Sequence, residues 1–300
     1  MRTYKVYQVD AFTEDKFTGN PAGVVLNSEG LSDDEMLKIA RELNNSETAF
    51  VFNEKSDDYD VKVRFFTSTN EVPLCGHATI SAHYILAKEN NFKGHTRLVQ
   101  NTLAGNLPVD IFEDEGDYEI EMTQGDIEIS NPFDLVLVEK ITDALGITLD
   151  DLVEEIPVAY ASTGFGKVMV CIKELNKLHT LSPDLNKLIE ISRDINVNGY
   201  HVFTFHPEEE ILVHGRMFSP ASGNNEDPVT GNANGPLGAY LVSLGVVDNK
   251  KDNFTFSAYQ GEAMGRPGEI KVSVDIEKEK PKLVKISGSA VKVFETEISL

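Results

Sequence analysis

Three side chains in this sequence have a setting that suits proton-transfer chemistry. Glu47 lies in the charge-poor run Asn45-Ser46-Glu47-Thr48-Ala49-Phe50-Val51-Phe52, at the mouth of an apolar strand. A carboxylate entering a partly dry site has its pKa raised toward neutrality, which suits it to take and return a proton; an ordinary surface glutamate is the plainer alternative. His77 opens a long uncharged segment, where an imidazole facing a helix dipole is biased toward its neutral form and can donate or accept a hydrogen bond. Asp227, in Asn225-Glu226-Asp227-Pro228-Val229-Thr230-Gly231-Asn232, precedes Gly231 by four residues and is read either as a site carboxylate or as a turn residue before proline.

The elements that must position these groups centre on residues 65–86. This stretch reads as a strand, a polar turn holding Cys75, Gly76 and His77, and a helix with no charge between His77 and Ala87. A helix apolar or small on every side has no solvent face, so it should run through the middle of a domain. Its first turn points backbone N–H groups beyond Gly76, a natural anion site. Before it, alternating segments at 7–12, 24–26, 48–52 and 60–66 predict strands, and Ser32 with Glu35 forms a capping box for a helix through Met36, Ile39, Ala40 and Leu43. Further strands are expected from Arg97 to Met122, with Leu98, Leu107, Val109, Ile111, Tyr118 and Ile120 inward. Short helices are expected over 136–146 and 149–155, an amphipathic helix over 184–194, and closing strands from Ile270 through Phe294.

The order repeats. Arg64-Phe65-Phe66-Thr67 is echoed 152 residues later by Arg216-Met217-Phe218-Ser219, and Cys75-Gly76-His77-Ala78 is echoed 155 residues later by Thr230-Gly231-Asn232-Ala233, each of these followed by an uncharged helix. Asn44 to Phe52 corresponds to Asn196 to Thr204, again 152 residues on. Three echoes in one order at nearly one spacing predict a duplicated domain. The fold class expected is α+β: two pseudo-symmetric domains, 1–122 and 123–293, each a strand-rich sheet or barrel wrapped around a central apolar helix, with the last strand near 294–300 returning to the first domain. Two helix N-termini at a shared cleft would bind an anion, most simply a carboxylate, through the N–H groups around Gly76 and Gly231. Thr230 stands where the repeat places a partner for Cys75, and a threonine hydroxyl does not ionise near neutral pH, so a two-thiol acid–base pair is broken and Cys75 reads as packing.

Composition narrows the function classes. The formal charge of −22, from 27 basic and 49 acidic residues, argues against nucleic acid or an anionic membrane as partner. The fractions of apolar (41%) and charged (25%) residues are those of a globular protein, no apolar run is long enough for a membrane helix, and the alternating N-terminus from Met1 lacks a signal-peptide core, so a cytoplasmic location is expected. Only Cys75 and Cys171 occur, without metal-ligand spacing, so neither disulfide nor metal site is suggested; Cys171 reads as a buried strand residue. No phosphate loop and no nicotinamide or flavin motif is present.

Taken together, Val9-Asp10-Ala11-Phe12, Phe17-Thr18-Gly19-Asn20-Pro21-Ala22-Gly23-Val24, Ser46-Glu47-Thr48-Ala49-Phe50-Val51, Leu74-Cys75-Gly76-His77-Ala78-Thr79 and Glu226-Asp227-Pro228-Val229-Thr230-Gly231-Asn232-Ala233 resemble the phenazine biosynthesis isomerase family, a branch of the diaminopimelate-epimerase-like fold. The resemblance implies two like domains, a homodimer, no cofactor and a small carboxylate-bearing substrate. It implies that Glu47 shuttles the proton, that His77 and Asp227 position the substrate, and that Asn20, Gly76, Gly231 and Asn232 bind it. Family members acting on the phenazine precursor resemble Gly-Ser after Asp-Pro-x-Thr, whereas Asn232 stands here, a larger residue that puts that substrate in question. The expected activity is a cofactor-independent isomerase moving a proton on a small carboxylate; the alternatives are an amino-acid racemase or epimerase, and a non-catalytic metabolite-binding protein.

Overall fold

The computed structural model describes residues 2–207 and 211–300, so Met1 lies outside it. The chain divides into two units, one of residues 1–123 with 287–300 and one of residues 124–286. In the first, the order is β1 (Thr3–Ala11), β2 (Asn20–Leu26), α1 (Asp33–Leu43), β3 (Thr48–Phe52), β4 (Val61–Phe66), β5 (Glu71–Val72), α2 (Gly76–Asn90), β6 (His95–Thr102), β7 (Gly105–Asp114) and β8 (Asp117–Thr123). The second runs β9 (Glu128–Ile129), α3 (Leu135–Leu145), β10 (Ala159–Ser162), β11 (Lys167–Cys171), α4 (Leu175–Thr180), α5 (Leu185–Ile195), β12 (Tyr200–Phe205), β13 (Ile211–Ser219), β14 (Asn224–Asp227), α6 (Gly231–Leu244), β15 (Asn253–Gln260), β16 (Gly268–Glu277) and β17 (Lys280–Gly288). The last strand, β18 (Ala290–Ser299), returns to the first unit and pairs antiparallel with β1.

Each unit is built on the same ladder. In the first, β2 and β3 run parallel, β3 and β4 antiparallel, β4 and β6 parallel, and β6 and β7 antiparallel. In the second, β11 and β12, β12 and β13, β13 and β15, and β15 and β16 pair in the same senses. Register repeats as well: Thr48 pairs with Phe66, and Tyr200 pairs with Phe218. The echoed arginines do one job twice. Arg64 makes a two-pronged ion pair with Glu71 (2.8 and 2.6 Å) and lies 5.1 Å from the Phe66 ring, while Arg216 grips Glu226 (2.8 and 2.8 Å) and lies 4.9 Å from Phe218. In both units this clamp ties the long strand to the short one that delivers the chain to the central helix.

Every residue of α2 from His77 to Ala87 is buried, as its lack of charge predicts, and the helix packs against β1, β2 and β3 as well as β7 and β8. Strands at both ends of the ladder therefore wrap it. In α6, Ala233 to Val242 are buried likewise. The amphipathic helices lie outside: α1 covers Tyr4, Val25, Phe50 and Phe66 with Met36, Ile39 and Ala40, and α5 buries Leu188 and Ile191. The Ser32–Glu35 capping box forms.

Several expectations need correction. Residues 149–155 form only one 3-10 turn, Leu149–Asp151, after which Leu152 bridges to Ile172, so the apolar residues there serve a sheet edge. Helix α4 was not anticipated, being six residues long with little periodicity. Leu98 and Leu107 are half-buried, whereas Val109, Ile111, Tyr118 and Ile120 are buried; on the final strand Phe294 is half exposed.

The two clamps differ in burial, and their loss should differ accordingly. Arg216 is 8% exposed and also donates to Leu178 O and Leu181 O, so Arg216→Ala strands the half-buried Glu226 carboxylate and two carbonyls. Urea unfolding should register a loss of about 3–5 kcal/mol. Arg64→Ala, at a more exposed pair, should cost about 1 kcal/mol.

Candidate active site

In the first unit, Glu47 and His77 are brought together. Glu47 ends the turn between α1 and β3, and its backbone carbonyl accepts from Gly23 N as β2 and β3 begin their parallel pairing. Its Oε2 lies 3.4 Å from His77 Nε2, with 22% of the Glu47 side chain exposed against 7% for His77. Ser46 Oγ is 3.2 Å from the same nitrogen, and Cys75 Sγ is 3.4 Å from His77 Nδ1. The imidazole thus has a partner on each nitrogen and its plane is fixed, while the carboxylate keeps an accessible face. Cys75 is buried, as expected of a packing residue, and it also touches the histidine. Asn20, 1% exposed, begins β2 in register with Ala11, just after a turn in which Asp10 Oδ2 accepts from Phe17 N (2.7 Å). Gly19 is required there, since its φ is +59° and a Cβ would lie 2.2 Å from Ala11 O.

In the second unit Asp227, 9% exposed, closes β14 and accepts a hydrogen bond from the Thr230 hydroxyl. Thr230 is the residue preceding α6, a position where a threonine ordinarily caps the helix with its side chain. Here the hydroxyl is turned to Asp227 and caps nothing. Cys75, at the matching position before α2, makes no side-chain cap either. By contrast the longer outer helices α1, α3 and α5 are capped by Ser32, Asp134 and Asp184, while the six-residue α4 has no side-chain cap. Neither α2 nor α6 carries an acidic residue in its first turn. Both buried helices therefore begin without a side-chain cap and without an acidic residue in their own first turn, an arrangement suited to an anion.

Asn232 has a distinct geometry. Pro236 has no N–H to bond to the carbonyl four residues back, and Asn232 is the one residue of α6 off the helical conformation (φ −81°, ψ 16°). Its Oδ1 is buried and has no hydrogen-bond partner among the described residues. Gly231 has a packing reason to be glycine besides any approach of a ligand, since a Cβ would lie 2.3 Å from Ile286 Cδ1.

Sequence reasoning missed three supporting side chains. Gln260, fully buried, donates from Nε2 to Asp227 O (2.7 Å) and Thr230 Oγ1 (3.1 Å) and accepts at Oε1 from Asn234 Nδ2 (2.9 Å). Gln124 donates to Gly231 O (3.0 Å), and Gly235 leaves it room, since a Cβ there would lie 1.9 Å from Gln124 Oε1. Lys167 is 3% exposed at the start of β11, with Nζ 3.4 Å from Gly166 O. A single charge opening the apolar run Lys167-Val168-Met169-Val170-Cys171 was the available signal. Burial lowers the Lys167 pKa to about 8, against the opposing attraction of Asp227. Burial likewise pushes His83, on α2, down to about 4 and His201 down to about 3, so both are neutral core groups; it pushes the Cys171 thiol up, which makes that cysteine inert.

The lysine has a pH signature. Its folded-state pKa lies below the unfolded value, so between about pH 8 and pH 10.5 the unfolded chain binds more protons and stability rises with pH. Below pH 8 the cost of burying the ammonium is borne in full, on the order of 3 kcal/mol. Urea midpoints of wild type and Lys167→Met should therefore converge as pH is raised from 7.5 to 10; parallel profiles would show that the ammonium is not penalised.

Comparison with known proteins places this geometry. The family model described as phenazine biosynthesis-like protein matches residues 9–296. An uncharacterized isomerase of Clostridium acetobutylicum is 54% identical over 301 residues, covering 100% of this chain and 99% of that protein. Among solved structures, a phenazine biosynthesis protein of the PhzF family from Bacillus anthracis superposes with a TM-score of 0.89 at 32% identity, covering 100% of both chains. A hydroxyproline epimerase from Agrobacterium vitis, solved with trans-4-hydroxy-L-proline, shares the fold with a TM-score of 0.65 at 13% identity, over 100% of this chain and 93% of that one. The duplicated ladder around a buried helix is thus the epimerase-like fold, and the chain belongs to the phenazine biosynthesis-like protein family.

Proposed function

We propose that this protein is an isomerase that moves a proton on a small carboxylate-bearing metabolite, using its own side chains and no cofactor. The observation that carries the reading is that the two buried helices begin at Gly76 and Gly231 without a side-chain cap, whereas the longer outer helices α1, α3 and α5 are closed by side chains; the six-residue α4 is uncapped as well. The names of relatives as isomerases, and the fold shared with a hydroxyproline epimerase, support the same class.

In the proposed reaction the substrate carboxylate accepts hydrogen bonds from the first-turn N–H groups, which also stabilise the charge that develops when a neighbouring carbon is deprotonated. Glu47 takes that proton and returns it to a different carbon, its position held against His77. The imidazole, fixed by Ser46 and Cys75, donates to or accepts from whichever substrate group is beside it. In the unit of residues 124–286, Asp227, with Thr230 and Gln260 behind it, and Asn232, whose Oδ1 has no partner among the described residues, are the groups proposed to bind ligand. A homodimer and a cytoplasmic location complete the proposal. Among the described residues no helix is long and apolar enough to cross a membrane.

A racemase using two thiols is disfavoured, because Thr230 occupies the position matching Cys75. The discriminating experiment incubates the protein in D2O with a panel of small unsaturated and amino carboxylates and follows exchange by NMR. Wild type should incorporate deuterium into a turned-over compound, and Glu47→Gln should lower the rate by about 10²–10⁴-fold with ligand binding kept. Undiminished exchange in Glu47→Gln would remove Glu47 from the role. Cys75→Ala should retain activity; its complete loss would favour the thiol mechanism.

A further inference from the structure

A second cluster of reactive side chains lies in the unit of residues 124–286, built from residues that the proposed reaction does not use. His214 Nδ1 is 2.7 Å and His179 Nε2 is 3.2 Å from the same oxygen, Glu262 Oε2. The three donor atoms all lie within 4.8 Å of one another. They come from segments far apart in sequence, each fixed by its own backbone. His179 is in the last turn of α4, where Arg216 anchors the carbonyls of Leu178 and Leu181 at 3.1 and 2.8 Å. His214 lies on β13, in parallel register with Tyr259 of β15. Glu262 opens the 3-10 turn Glu262–Met264, bounded by Gly261 and Gly265, both at positive φ; Gly261 O accepts from Met264 N and Arg266 N.

We propose that His179, His214 and Glu262 form a binding site for a divalent transition-metal ion of the zinc type. Bonds of about 2.0–2.2 Å from nitrogen and oxygen to zinc put neighbouring ligand atoms roughly 3.0–3.5 Å apart. The 3.2 Å separation already fits, and the 2.7 Å one has to open by only a few tenths of an ångström. Two imidazoles and one carboxylate favour zinc and its transition-metal neighbours over magnesium or calcium, which prefer oxygen ligands. Side-chain exposures of 33%, 13% and 28% for His179, His214 and Glu262 leave a solvent side on which water completes the coordination shell. The repeated frame does not itself create the cluster: the position in the first unit matching His214 is Lys62, which pairs with Phe52 as His214 pairs with Thr204. An ion there would tie α4 to β13 and to the turn after β15, a structural role independent of the proton chemistry. The simpler alternative, a solvent-facing pair of histidine–carboxylate contacts, binds no ion.

Titration of chelator-treated full-length protein with zinc alone, followed by calorimetry, and with cobalt, followed by visible absorption, tests the site. Wild type should bind one equivalent of zinc at this cluster and melt at a higher temperature with it. His179→Ala and Glu262→Gln, shown folded by circular dichroism, should weaken this binding by about tenfold or more. Binding should persist in Cys75→Ala and Glu47→Gln, and the cobalt spectrum should lack a thiolate charge-transfer band. Absence of binding, or binding that survives in His179→Ala and Glu262→Gln, would overturn the proposal; so would loss of all binding in Cys75→Ala, which would place the ion beside His77.

Discussion

The structure depends on how two buried helices begin. A helix start carries N–H groups without intrahelical partners, and a buried one normally has them capped. Here α2 follows a cysteine that cannot cap well, and α6 follows a threonine whose hydroxyl is committed to Asp227. The surrounding strands fix both helices in place, and the Arg64–Glu71 and Arg216–Glu226 clamps hold the strands that lead into them. The scaffold therefore maintains two polarised helix ends that neither helix satisfies with its own side chains.

Duplication explains the shared frame, and the departures from it explain the division of labour. The position matching Glu47 is Gly199, where a Cβ would come within 2.6 Å of Phe218 O, so the second unit has no room for a carboxylate there. Where the first unit has His77, the second has Asn232, displaced from helical geometry by Pro236. One half thus carries the Glu47–His77 pair, and at the matching positions the other carries a glycine and a neutral amide. Such an asymmetry suits a single base that moves a proton from one carbon to another better than a symmetric pair of bases that inverts one centre.

Legibility of the fold followed from periodicity and charge. The uncharged run from His77 to Ala87 announced a helix with no surface, and the Arg-x-Phe echoes marked the repeat because the same clamp is needed twice. Short elements escaped: α4 has too few turns to show a period, and the turn at Leu149 mimics a helix start through its Thr148–Asp151 contact. Within the candidate site, Glu47, His77 and Asp227 stood in recognisable motifs. Gln260, Gln124 and Lys167 did not, because their placement depends on strand register between segments distant in the chain. The diversion of the Thr230 hydroxyl was invisible for a related reason: a threonine before a helix reads as a cap, and only the fold reveals its other partner.

The most direct measurement is a crystal structure of Glu47→Gln with a small unsaturated carboxylate bound. The account predicts carboxylate oxygens within hydrogen-bond distance of the first-turn N–H groups at Gly76 or Gly231, and an adjacent ligand carbon facing residue 47. A ligand bound with its carboxylate away from both helix starts would contradict it.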